Sequence, residues 1–128
     1  MASKHQAFIR TLPCVICGDS IQTQCAHVRF NEPRLAHQQA KGKKPPDWFC
    51  APLCNQHHRV QHEQDERDFW DWWGIDIHFV TLALYCNTGN YFLCCQIIEW
   101  HQYHSQRCLD LKIGISERQL KPKGNILE

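Results

Sequence analysis

A chain of 128 residues with 43% hydrophobic and 21% charged side chains suits one folded domain and argues against both global disorder and two independent cores. No apolar run approaches membrane-spanning length, the longest being the one around Phe79 to Tyr85, so no transmembrane helix is expected. The net charge of +1 hides an asymmetry: residues 1–60 carry eight Lys/Arg against three Asp/Glu (+5), residues 61–128 six against ten (−4), so the N-terminal half suits a polyanionic partner.

The first residues, Met1-Ala2-Ser3-Lys4-His5-Gln6, lack the apolar stretch of a signal peptide, which leads to the expectation of a cytoplasmic protein. In a reducing compartment nine cysteines, an odd number, read as thiols with some bound to metal rather than as a disulfide framework. Cys86, Cys94, Cys95 and Cys108 lie in apolar surroundings and are expected to be buried small hydrophobes.

In chain order, Lys4 to Leu12 predicts a short helix with Phe8, Ile9 and Leu12 on one side, stopped by Pro13. Cys14-Val15-Ile16-Cys17-Gly18 follows: two thiols two residues apart with glycine behind them match a zinc knuckle, whose tight turn aims backbone N–H groups at thiolate sulfur. Ile21 to Phe30 predicts a strand carrying His27 near its end. Residues 31–46 predict a long polar loop with three prolines, in which Lys43 and Lys44 of the run Lys41-Gly42-Lys43-Lys44 are candidates for phosphate contacts. Asp47 to Leu53 predicts a second strand, leading into the stretch Cys54-Asn55-Gln56-His57-His58-Arg59-Val60-Gln61-His62.

If that stretch is helical, His58 and His62 stand at i and i+4 and leave one face a turn apart, a spacing at which two imidazoles share one metal ion. Cys54 and His57, at i and i+3, form a second pair that can complete a four-ligand zinc site with Cys14 and Cys17. Cys50 is the competing fourth ligand, in a four-cysteine site; His57 is preferred because a CxxH at a helix start mirrors the knuckle. The local order is knuckle, strand, loop, strand, helix: a ββα unit.

Beyond it, Asp65 to Trp73 predicts a helix stopped by Gly74, and Asp76 a cap for a helix through Tyr85 with Ile77, Val80 and Leu84 at i, i+3 and i+7. Asn87 to Asn90 predicts a turn. Tyr91 to His104 predicts a further helix with Leu93, Ile97, Trp100 and His104 on its core face. The aromatic residues at helical spacing are expected mainly in the core. Leu109, Leu111, Ile113 and Ile115 alternate with Asp110, Lys112 and Gly114 and predict a strand, followed by a tail. The expected fold is therefore α+β and one domain: a zinc-stapled ββα core over residues 5–63, a helical extension over 64–105, and a short strand and tail over 106–128.

The order CxxC, strand histidine, then Pro52-Leu53-Cys54-x-x-His57-His58-x-x-x-His62 resembles the HNH endonucleases, the His-Me finger or ββα-metal group. It is most similar to the small phage- and prophage-borne kind with a zinc-stapled finger, the Ref-type nucleases. The resemblance covers roughly residues 5 to 85. It implies a metal-dependent endonuclease that hydrolyses phosphodiester bonds in DNA, with Cys14, Cys17, Cys54 and His57 as a closed structural Zn²⁺ site. It further implies His58 and His62 as ligands of a catalytic Mg²⁺ or other divalent ion, His27 as general base, and Asp47 as the group holding its imidazole. Arg29 and Lys44 are the implied phosphate contacts. One departure stands out: many of these enzymes place an Asp or His directly before the base as a further metal ligand, where this chain has Ala26. The alternative from a different class is a non-catalytic zinc module that binds DNA or a recombination or packaging partner. Such a module has no use for His27, His58 and His62.

Overall fold

The computed structural model describes residues 3–30, 32 and 47–114. Among the described residues, six α-helices and one two-stranded antiparallel hairpin make an α+β fold: α1 (Lys4–Ile9), β1 (Thr23–His27), β2 (Cys50–Cys54), α2 (Asn55–Glu63), α3 (Glu66–Trp73), α4 (Ile77–Cys86), α5 (Tyr91–Tyr103) and α6 (Gln106–Lys112). Helices α1 and α2 lie against the hairpin, α4 against β2, α5 against α4, and α6 against α3 and α5. Among the described residues no helix is long and apolar enough to cross a membrane.

α1 begins with a reciprocal capping box. The Ser3 hydroxyl accepts from the Gln6 N–H and the Gln6 side chain from the Ser3 N–H, both at 3.1 Å. The helix ends three residues before the expected Leu12. Pro13 keeps Leu12 out of helical conformation, and the chain closes on i→i+3 bonds, Thr11 N–H to Phe8 and Leu12 N–H to Ile9. Ile9 and Leu12 still bury their side chains completely.

The hairpin pairs Thr23 with Cys54 through His27 with Cys50. β1 is shorter than Ile21 to Phe30. Asp47 to Phe49 forms a 3-10 turn rather than strand, so β2 starts at Cys50. All five residues of β2 are buried, because helices cover the hairpin, which is why the segment shows no polar alternation.

α3 is capped by Asp65, which accepts from the Asp68 N–H at 3.0 Å, and ends at Gly74 in the left-handed region (φ 72°) that glycine adopts without strain. Phe69, Trp70 and Trp73 are its buried face, and Ile77, Val80 and Leu84 are that of α4, as their spacing predicts. Asp76 precedes α4 but makes no side-chain cap bond.

Three expectations in the C-terminal part are corrected. The buried face of α5 is Cys94, Ile98 and Gln102, whereas Leu93 and Ile97 are half-buried and Trp100 is 58% exposed. Apolar residues lie on more than one side of this helix, so periodicity alone does not choose between faces. Residues 106–112 form helix, not strand: Ser105 caps α6 by accepting from the Cys108 N–H, and Cys108 and Leu111, three apart, turn inward. The alternating leucines satisfied strand spacing by coincidence, and the cap decides. Cys94 and Cys108 are buried and Cys95 half-buried as expected, but Cys86 is exposed. Of the aromatic residues, Phe49, Phe69, Trp70 and Trp73 are core, while Trp48, Phe92, Trp100 and Tyr103 are surface. The expected tail beyond Gly114 lies outside the described residues.

Candidate metal centres

The knuckle is a turn over Cys14–Gly18. The Gly18 N–H closes it onto the Cys14 carbonyl at 2.9 Å, with Gly18 at φ 81°, where a side chain would be strained. The Ile16 N–H points at Cys14 Sγ at 3.4 Å, the amide-to-sulfur contact that the spacing predicts. A bond from the Val15 N–H to the Pro52 carbonyl, 2.9 Å, hooks the knuckle onto β2. Cys54 ends that strand and caps α2, its sulfur accepting from the His57 N–H at 3.5 Å. One turn into α2, His57 is 3% exposed and its ring meets Trp73 edge-on at 5.6 Å.

These elements bring Cys14, Cys17, Cys54 and His57 together, with one ligand atom from each within 4.8 Å of all the others. Cys17 Sγ lies 3.8 Å from Cys54 Sγ, and His57 Nδ1 lies 3.2 Å from Cys54 Sγ and 3.8 Å from Cys14 Sγ. Tetrahedral zinc with Zn–S bonds of about 2.3 Å places its sulfurs about 3.8 Å apart, with the nitrogen slightly nearer. The donor set and its edges fit zinc. Cys50 is not in the group; it is buried at the far end of the hairpin, opposite His27.

Electrostatics agree with a cation site. The Cys14 thiol hydrogen-bonds its neighbours, holding Cys17 down to about 4 and Cys54 to about 6, and its own pKa is raised by the bonds it gives up on ionising. Three adjacent thiols cannot all become thiolates without a positive charge between them, which a metal ion supplies.

His58 and His62 leave α2 from a face other than that of His57. His58 Nε2 and His62 Nε2 are 3.0 Å apart. His58 Nδ1 lies 2.6 Å from Gln24 Oε1 on β1, and Gln24 Nε2 donates to Asn55 Oδ1 at 3.3 Å. Burial first, then the charges of His62, His27 and Arg29, holds the His58 pKa below the usual imidazole value, which favours the neutral, metal-binding form. His27, half-buried at the end of β1, and the exposed Arg29 are thus within electrostatic reach of the same ring.

Two residues not singled out from sequence support this corner. Glu66, opening α3, accepts from the Arg29 backbone N–H at 2.9 Å and from Gln61 Nε2 at 2.8 Å, joining the segment after β1 to α2 and α3. Gln24 was hidden because nothing in a strand pattern marks a half-buried glutamine as a partner of a histidine 34 residues away. Ala26 is fully buried opposite Ala51, so the position of the missing family ligand lies in the core. Asp47 begins the 3-10 turn before β2, and Lys43 and Lys44 lie outside the described residues. His78 is structural: its Nε2 donates to the Phe30 carbonyl at 2.8 Å.

The structure thus holds a β-hairpin followed by a helix with a Cys3His metal-binding group. No family model, curated protein or solved structure matches the chain.

Proposed function

We propose that this chain is a metal-dependent endonuclease of the HNH type, phage or prophage encoded, that hydrolyses phosphodiester bonds in DNA. The observation that carries the reading is the histidine corner beside the Cys3His group: His58 and His62 with Nε2 atoms 3.0 Å apart, and His27 and Arg29 acting on the same ring. A zinc staple needs none of these four residues.

In this reading the Cys14/Cys17/Cys54/His57 group holds Zn²⁺ and fixes α2 against the hairpin, replacing core that so small a finger cannot build. His58 and His62 hold a divalent ion, which supplies Lewis-acid stabilisation of the scissile phosphate and the leaving 3′ oxygen. His27 Nδ1 or Nε2 takes a proton from water as its oxygen attacks phosphorus and the P–O3′ bond breaks. Asp47 holds that imidazole in its useful tautomer, and Arg29, Lys43 and Lys44 hold phosphate oxygens. The basic balance of residues 1–60 draws the polyanion to this half.

The test is nicking of supercoiled plasmid by wild type and His27→Ala, in Mg²⁺, Mn²⁺ or EDTA, with zinc content measured on both. The expected result is metal-dependent nicking that falls at least about a hundredfold in the variant while zinc stays bound. Absence of cleavage by folded, zinc-loaded wild type, on single-stranded and branched DNA as well, would leave a non-catalytic zinc module binding DNA or a partner protein as the account.

A further inference from the structure

We infer that Gln24 is the positioning residue of the His58–His62 pair: it fixes the tautomer in which His58 offers Nε2 to a divalent cation. The inference rests on the reading of that pair as an ion site, but not on nuclease activity.

Three contacts run in series across the hairpin and α2. Gln24 Nε2 donates to Asn55 Oδ1 at 3.3 Å, which turns the other end of the amide, Oε1, toward His58. Oε1 lies 2.6 Å from His58 Nδ1. A carbonyl oxygen carries no proton, so the hydrogen of this short contact belongs to Nδ1. A neutral imidazole has one N–H, so His58 Nε2 bears the lone pair, and Nε2 is the atom facing His62. A metal-binding histidine has its other ring nitrogen held in this way by an oxygen acceptor, which sets ring orientation and raises ligand basicity.

The pair has the right bite. Two nitrogens each about 2.0–2.1 Å from one ion stand about 2.9 to 3.4 Å apart, between octahedral and tetrahedral angles, and the observed separation is 3.0 Å. Without an ion, His62 supplies the hydrogen between the two Nε2 atoms. With an ion, that proton moves to His62 Nδ1 and both lone pairs face the cation. His58 is therefore preset and His62 is the residue that changes tautomer.

The placement also bears on Ala26. Gln24 and Ala26 are two apart on β1 and share a face of the strand, and Ala26 holds no ligand. What β1 contributes to the ion is the orientation of a helix ligand rather than a ligand of its own.

The experiment uses the full, zinc-loaded chain at pH 8 with ¹⁵N-labelled imidazoles. Long-range ¹H–¹⁵N spectra give the tautomer of each histidine, and Mn²⁺ titration followed by electron paramagnetic resonance gives the affinity of the second site. Wild type is expected to show His58 protonated at Nδ1 with and without ion, and His62 moving from Nε2–H to Nδ1–H on loading. Gln24→Ala should mix the His58 tautomers and weaken Mn²⁺ binding about 10- to 100-fold. Gln24→Glu, which restores an oxygen acceptor, should recover both. Zinc content at one per chain shows that each variant is folded. His58 protonated at Nε2 in wild type overturns the inference, as does unchanged Mn²⁺ affinity in folded Gln24→Ala, or no Mn²⁺ binding that His58→Ala removes. Plasmid nicking is scored separately: tautomers and affinities as expected without cleavage would sink the nuclease reading and leave the role of Gln24 standing.

Discussion

Gln102, in the middle of the C-terminal helices, donates from Nε2 to the Cys14 carbonyl at 3.1 Å and to the neighbouring Val15 carbonyl at 2.9 Å. The amide is 2% exposed and reaches 88 residues back along the chain to the metal knuckle. The C-terminal helices are therefore tied by hydrogen bonds to the turn that presents two thiols of the Cys3His group. Replacing Gln102 by Leu keeps most of the volume but leaves the Val15 carbonyl buried without this donor, at a cost of about 1–3 kcal/mol. The expected readout is a lower melting temperature, together with faster zinc loss to a chelator. A variant that melts lower yet releases zinc at the wild-type rate would show that the bond supports α5 and not the knuckle.

Two adjacent residues on α2 have separate duties. His57 faces the three thiols, while His58 faces Gln24 and His62. His57→Ala is expected to lose zinc and with it cooperative folding, since a structural zinc contributes on the order of 10 kcal/mol to small fingers. His58→Ala should keep one zinc per chain and lose only the second ion. Cys50→Ala is the control for the four-cysteine alternative. Cys50 lies outside the ligand group, so zinc stays bound, and stability falls only by the small cavity, about 1 kcal/mol. Metal analysis of the three purified variants reads the bound ions, and urea unfolding reads the stabilities.

The metal ligands were legible because their chemistry is written in spacing. CxxC and CxxH are constrained by turn and helix geometry, so Cys14, Cys17, Cys54 and His57 could be grouped before their distances were known. Capped helices were legible for the same reason, with Asp65 and Gly74 bracketing α3. What periodicity could not supply was choice between faces. α5 is apolar on several sides, and its buried face is Cys94, Ile98 and Gln102, the last reaching the knuckle, rather than Leu93 and Trp100. The α6 segment misled for a related reason: leucines two apart fit a strand, and only the Ser105 cap and buried Cys108 distinguish the helix. Gln24 and Glu66 act on residues more than 30 positions away, and no local pattern announces such partners.

Glu66 provides a pH test of the junction between α2, α3 and the segment that follows β1. Its carboxylate accepts from the Arg29 N–H and from Gln61 Nε2, but burial outweighs these bonds and the pKa stands above the ordinary glutamate value of 4.5. The folded state therefore holds this proton more tightly than the unfolded chain does. The contribution is fully present below the unfolded pKa and is lost as pH rises through the folded one. Glu66→Gln has no proton to lose. Relative to that variant, wild type should be at its best in acid and lose ground as pH climbs past 4.5, levelling off above the raised pKa. Acid also protonates the zinc thiolates, but both proteins share that effect, so the difference between their stabilities isolates Glu66. Paired urea titrations from pH 4 to pH 8 measure it. A wild-type advantage that grows with pH would mean that the two hydrogen bonds to the ionised carboxylate dominate over its burial.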